Sequence, residues 1–148
     1  MPQSTSFRPL RGTRIVSLAL NLPGPAALMR LHALGARCLK VEPPGPTPTV
    51  SGDPMGQYNP GAYGQMHAGI RSLTIDLKSE RGRAQLAREL ATSDVLLTSF
   101  RPSALAKLGL SWTQLRRAHP QLSLVEIVGA PAERAEEPGH DLTYLAEA

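Results

Sequence analysis

Thr13–Val41 reads TRIVSLALNLPGPAALMRLHALGARCLKV, and it decides the fold. Thr13–Leu20 is an apolar, β-branched run of strand length. Asn21-Leu22-Pro23-Gly24-Pro25 is turn chemistry, and Pro25 suits the first turn of a helix, where its missing N–H costs nothing. Ala26, Met29, Leu31 and Leu34 continue at roughly helical spacing, and Gly35 is a natural stop. Ala36–Val41 (ARCLKV) is a second strand. Strand, helix and strand within about 30 residues form a βαβ unit, which requires parallel strands and a crossover helix.

The pattern repeats downstream. Arg71–Leu77 (RSLTIDL) alternates like a strand. Ser79 caps a helix to about Ala91, with Glu80 in its first turn and Ala84, Ala87, Leu90 and Ala91 on its buried face. Asp94–Thr98 is a further strand. The Ser99–Pro102 turn leads to a short helix over Ser103–Leu108. Ser111 and Gln114 form a capping box for Trp112–His119, and Leu122–Val128 is the last strand. Alternating strands and helices predict an α/β fold: a Rossmann-like parallel sheet with helices on both faces. Residues 1–12 read as a flexible segment and 13–148 as one domain. Between its second and third strands, Glu42–Gly69 holds 12 Pro or Gly among 28 residues. It reads as a long loop over the mouth of the sheet.

Composition narrows the function. Hydrophobic residues make up 41% and charged residues 19%, as in ordinary globular proteins. Aromatics are 4%, too few for base stacking, and no Lys/Arg run accompanies the net charge of +4, so no nucleic-acid partner is expected. No apolar run approaches the ~20 residues of a membrane span. Cys38 is the single cysteine, which excludes an intrachain disulfide, and a small buried apolar role is expected of it. No acid precedes Glu42 while arginines stand at 8, 11, 14, 30 and 37, a transit-peptide trait. The strand–helix–strand from Ile15 onward argues for native fold instead, and a cytoplasmic protein is expected.

Candidate chemistry lies at the strand ends, where α/β folds bind ligands. The first turn offers only Gly24 of a G-x-G-x-x-G fingerprint, although Glu42 mimics its ribose-binding acid; no NAD is expected. No phosphate-binding P-loop is present. Cations do sit at strand ends: Lys78 before a helix start, Arg101 in a turn, and Lys107 one helix later. Together they suit an anionic, phosphate-bearing ligand. Near the end, PGHDLTYL places His140 beside Asp141 at a turn into a helix. This reads either as an acid/base pair or as an Asp cap with a structural histidine. His32, His67 and His119 show no ligand spacing with His140, so no metal is expected.

Four blocks in this order carry a family resemblance: GTRIVSLALNLPGPAALMRLHALGARCLKVEPPG (12–45), SLTIDLKSERGRAQL (72–86), SDVLLTSFRPSALAKLGLSWTQLRRAHPQL (93–122) and PGHDLTYLAEA (138–148). The chain resembles the N-terminal part of the class III CoA-transferase family, which also contains alpha-methylacyl-CoA racemase. The resemblance implies the large-domain portion of a two-domain subunit, with coenzyme A along the sheet edge. Carried over by position, Leu22 and Pro23 border the CoA pocket, and Ile75, Leu77 and Lys78 lie along it. Ser99, Phe100 and Arg101 contact the nucleotide or pantetheine. Lys107 stands where the family usually has a phosphate-binding arginine, and Pro43 where it often has a basic residue.

What the resemblance implies about activity has three branches. The first is CoA transfer between carboxylic acids, in which a downstream aspartate is the nucleophile. The second is racemisation of a 2-methylacyl-CoA, in which His140 exchanges the α-proton with that aspartate. The third is a non-catalytic fragment that binds CoA or a partner. In both catalytic branches the aspartate falls after residue 148 and is not Asp141. The implied substrates are an acyl-CoA and a small carboxylic acid, and the implied assembly is an interlocked homodimer or a pair with a companion subunit.

Overall fold

The computed structural model describes residues 7–139. Five strands form one sheet: β1 (Arg14–Ser17), β2 (Arg37–Glu42), β3 (Arg71–Thr74), β4 (Val95–Thr98) and β5 (Ser123–Glu126). Their order is β3-β2-β1-β4-β5, and every pair is parallel. The strand order reverses between β1 and β4, which is where open α/β sheets leave a crevice at the strands' carboxyl ends. The expected βαβ unit is present, with Ile15 opposite Cys38 and Val16 opposite Leu39.

Helices cover both faces. On one, α1 (Pro23–Ala33) buries Leu28 against Ile15, Ala36, Ile70 and Leu97. On the other, α4 (Glu80–Leu90), α5 (Pro102–Lys107) and α6 (Trp112–Ala118) bury Leu86, Leu90, Leu105 and Leu115 against Val16, Leu39, Val41 and Leu96. Each fully buried leucine contributes about 1.5–3 kcal/mol relative to exposure. Gly24 is required for the first packing: a Cβ there would sit 2.6 Å from the backbone of Ala19, so α1 could not approach the end of β1.

Two helix phases differ from the sequence pattern. In α4 the inward stripe is Gly82, Leu86 and Leu90, while Ala84, Ala87 and Ala91 face outward. The four-residue repeat of large side chains outweighs the small alanines, which have little surface to bury. In α1 Leu28 is inward and Met29 is 41% exposed. That helix also starts two residues early, at Pro23. The capping box at Ser111 and Gln114 forms as expected: Gln114 N–H donates to Ser111 Oγ, and Gln114 Oε1 accepts from Ser111 N–H.

The segment 42–69 is not a bare loop. It contains α2 (Pro54–Tyr58) and α3 (Pro60–Met66), each with an acceptor side chain followed by proline. Asp53 accepts Met55 N–H and Asn59 accepts Ala62 N–H. Asx-Pro is a helix start, and the overall Pro/Gly content hides it. Cys38 is half-buried, and burial raises its thiol to about 11, which makes it a poor nucleophile at neutral pH. Among the described residues no helix is long and apolar enough to cross a membrane.

Candidate functional site

Because all strands are parallel, their carboxyl ends share one rim. At the reversal point the turn after β1 meets the turn after β4. Leu20 N–H donates to Ser99 Oγ at 2.9 Å, and Phe100 N–H donates to Thr98 Oγ1 at 3.1 Å. Asn21 adopts φ of 61°, a left-handed conformation that Asn tolerates better than most residues. Above these turns lies a cavity of about 810 Å³. Its walls are Leu20–Pro23, Ser99–Arg101, Tyr58 of α2, and parts of the strap 127–139 that follows β5. Glu136 ties this strap to the start of α5, accepting Ser103 N–H at 2.7 Å and the Ser103 hydroxyl at 2.8 Å. These bonds, with Arg101 and Lys107 nearby, hold the Glu136 carboxyl below the usual carboxylate range. At the strap's far end Gly129 and Gly139 touch so closely that a Cβ on Gly129 would lie 2.6 Å from Gly139 N.

Of the residues singled out by sequence, Leu22, Pro23, Ser99, Phe100 and Arg101 all line this cavity. The others do not. Ile75 is 2% exposed and belongs to the core, with Leu77 packed against it. Lys78 is exposed beyond β3, at the far edge of the same rim, where Arg83 Nη1 donates to its carbonyl. Lys107 lines a separate groove of about 480 Å³ between α4, α5 and α6. The three cations therefore do not converge on one pocket: β3 is two strands away from β1, and Lys107 lies a turn and more along α5 from Arg101. His140 and Asp141 lie outside the described residues, although the adjacent Gly139 lines the cavity. Among the described residues no group of three or more His, Cys, Asp or Glu could hold a metal ion.

A polar network beneath the rim was not legible in the sequence. Lys40 and Asp53 are both wholly buried, with Nζ and Oδ2 2.7 Å apart. Lys40 Nζ also donates to Ala19 O at 2.5 Å. Asp53 Oδ1 accepts Asn21 N–H and Met55 N–H, each at 3.0 Å. Glu42 Oε2 accepts the Ser51 hydroxyl, Asp53 N–H and the Tyr63 hydroxyl. Burial pulls the Lys40 ammonium below the ordinary lysine range, while Asp53 and Glu42 favour its charged form. Burial and the Glu42 charge push the Tyr63 phenol up.

His67 adjoins this network. Its Nδ1 donates to Tyr63 O at 2.8 Å, and its buried Nε2 meets no partner among the described residues. Burial, aided by the Lys40 charge, holds the imidazole below its ordinary 6.5, against the Tyr63 hydrogen bond. The unfolded chain therefore takes up a proton before the folded one does. Stability is expected to fall as pH drops below about 6.5 and on through the lower folded value. Thermal melts at stepped pH will show this slope, and His67→Gln will flatten it. An unchanged slope in the variant assigns the pH dependence elsewhere.

Residues 10–148 match CoA-transferase family III. A probable fatty acyl-CoA transferase of Mycobacterium tuberculosis is 35% identical, with the alignment covering all of this chain and 39% of that protein. Human alpha-methylacyl-CoA racemase is 36% identical over 93% of this chain and 33% of its own length. The crystal structure of a CAIB/BAIF family protein from Brucella suis superposes with a TM-score of 0.80 at 33% identity, covering 94% of this chain and 39% of that one. The chain thus spans about two-fifths or less of these relatives' lengths.

Proposed function

The chain belongs to CoA-transferase family III, and on that footing we propose that it is the CoA-binding part of an enzyme that moves coenzyme A from an acyl-CoA to a free carboxylic acid. One observation carries the reading: five residues chosen for CoA contact line a single cavity at the sheet's reversal point. Leu22, Pro23 and Phe100 give that cavity apolar walls for the pantetheine arm. The Arg101 guanidinium supplies the charge for phosphate oxygens. The nucleotide end runs outward along the rim, toward the exposed Lys78 beyond β3. The thioester then points toward the strap, whose Gly139 lines the cavity. A homodimer or a companion subunit completes the site, and the enzyme works in the cytoplasm.

A second reading is racemisation next to the thioester carbonyl. It is favoured by the Gly139-His140-Asp141 run, whose first residue lines the cavity, because imidazole is a suitable base near neutral pH. One assay separates the two. The chain, alone and joined to the segment its relatives carry beyond this span, is incubated in D₂O with an acyl-CoA and a free acid. The joined protein is expected to produce a new acyl-CoA, and the chain alone little or none. Deuterium at the α-carbon without a new acyl-CoA supports racemisation. Robust transfer by the chain alone contradicts the placement of the nucleophile after residue 148.

A further inference from the structure

Asp53 does not line the cavity, yet its carboxylate reaches two of the cavity's walls. Oδ1 accepts the N–H of Asn21, in the β1–α1 turn, and the N–H of Met55, in the helix that carries Tyr58. Oδ2 is taken by Lys40, which also grips Ala19 O just before the turn. We infer that Asp53, oriented by Lys40, is a positioning residue that sets the β1–α1 turn and α2 as facing walls of the ligand cavity.

A left-handed φ is easier for asparagine than for most residues but still gains from an anchor, and Asn21 N–H is held by Asp53 Oδ1. A buried carboxylate with two free oxygens could rotate. Lys40 occupies one of them and so leaves the other fixed between Asn21 and Met55. The Pro/Gly-rich segment gives α2 little apolar anchorage beyond Met55, so its place depends on these polar ties. The role as part of a CoA site rests on the reading given under Proposed function, whereas the positioning of the two walls does not.

The test uses two double variants, Lys40→Met/Asp53→Asn and Lys40→Met/Asp53→Leu. Both remove the buried ammonium, so neither leaves an uncompensated charge. Only the asparagine keeps an acceptor oxygen for Asn21 and Met55. Amide hydrogen exchange is measured without ligand, and CoA is then titrated by calorimetry. In the leucine variant the Asn21 and Met55 amides are expected to exchange at least about tenfold faster than in the parent, while β1 and β4 amides hold, and CoA binds about tenfold more weakly. The asparagine variant stays near the parent in both. In the unsubstituted protein both amides are expected to be protected well above their intrinsic exchange rates, since one oxygen holds both. Unchanged protection in the leucine variant, or no protection of these amides in the parent, overturns the inference even if CoA binds. Protection that splits as expected in a protein that does not bind CoA supports the positioning role and removes the CoA reading instead.

Discussion

Asp53→Ala lowers the melting temperature by roughly 10 °C or more, because breaking a buried ion pair from one side costs about 3–5 kcal/mol. Lys40 would keep only Ala19 O as a partner among the described residues, in a site with no solvent exposure. The amides of Asn21 and Met55 would lose their acceptor at the same time. A domain of this size has only about 5–15 kcal/mol in total, so the variant stands near the edge of folding. Lys40→Met/Asp53→Leu is expected to recover most of the loss, since an apolar pair has no charge to strand. A melting temperature for Asp53→Ala within about 3 °C of the parent would mean that water reaches Lys40 freely.

Arg101→Ala weakens CoA binding by about 10- to 100-fold at low salt, the worth of one or two charge-assisted hydrogen bonds to phosphate. Arg101 is set in place by Pro102, which starts α5 directly after it, and by its own carbonyl, which accepts the N–H groups of Ala104 and Leu105. Among the residues named for CoA contact, it brings the one full charge into the cavity. Glu136 lies close enough to feel that charge. Raising the salt to ~1 M, where the Debye length is about 3 Å, should bring parent and variant closer together. Lys78→Ala, out beyond β3, costs much less, about two- to threefold. Equal affinities for the parent and Arg101→Ala would remove Arg101 from the ligand site.

The sheet was legible because its signals are local. Each strand is a short apolar run, each connection carries turn chemistry, and Ser111 with Gln114 announces its helix by sequence alone. Of the cavity residues, Arg101 was legible through its place in the turn at a strand end, whereas Leu22 and Pro23 were named through the family resemblance; the strand order then brings the two turns together. The spread of Lys78, Arg101 and Lys107 was not legible, since it depends on which strands are neighbours and on how α5 turns. The Lys40–Asp53 pair was hidden for a different reason. Lys40 sits in a strand between apolar residues, and its partner lies 13 residues on in a proline-rich stretch, so nothing local marks either as buried. The Asp53-Pro54 and Asn59-Pro60 steps were the available signal, and each does start a helix.

Amide exchange across the described residues, with and without saturating CoA, tests the site most directly. Binding in the cavity is expected to add protection at Leu20–Leu22, at Ser99–Arg101 and in the strap from Ile127 to Gly139, with the α4–α6 groove around Lys107 and His119 changing less. Protection confined to that groove, or none anywhere at saturating CoA, would contradict it.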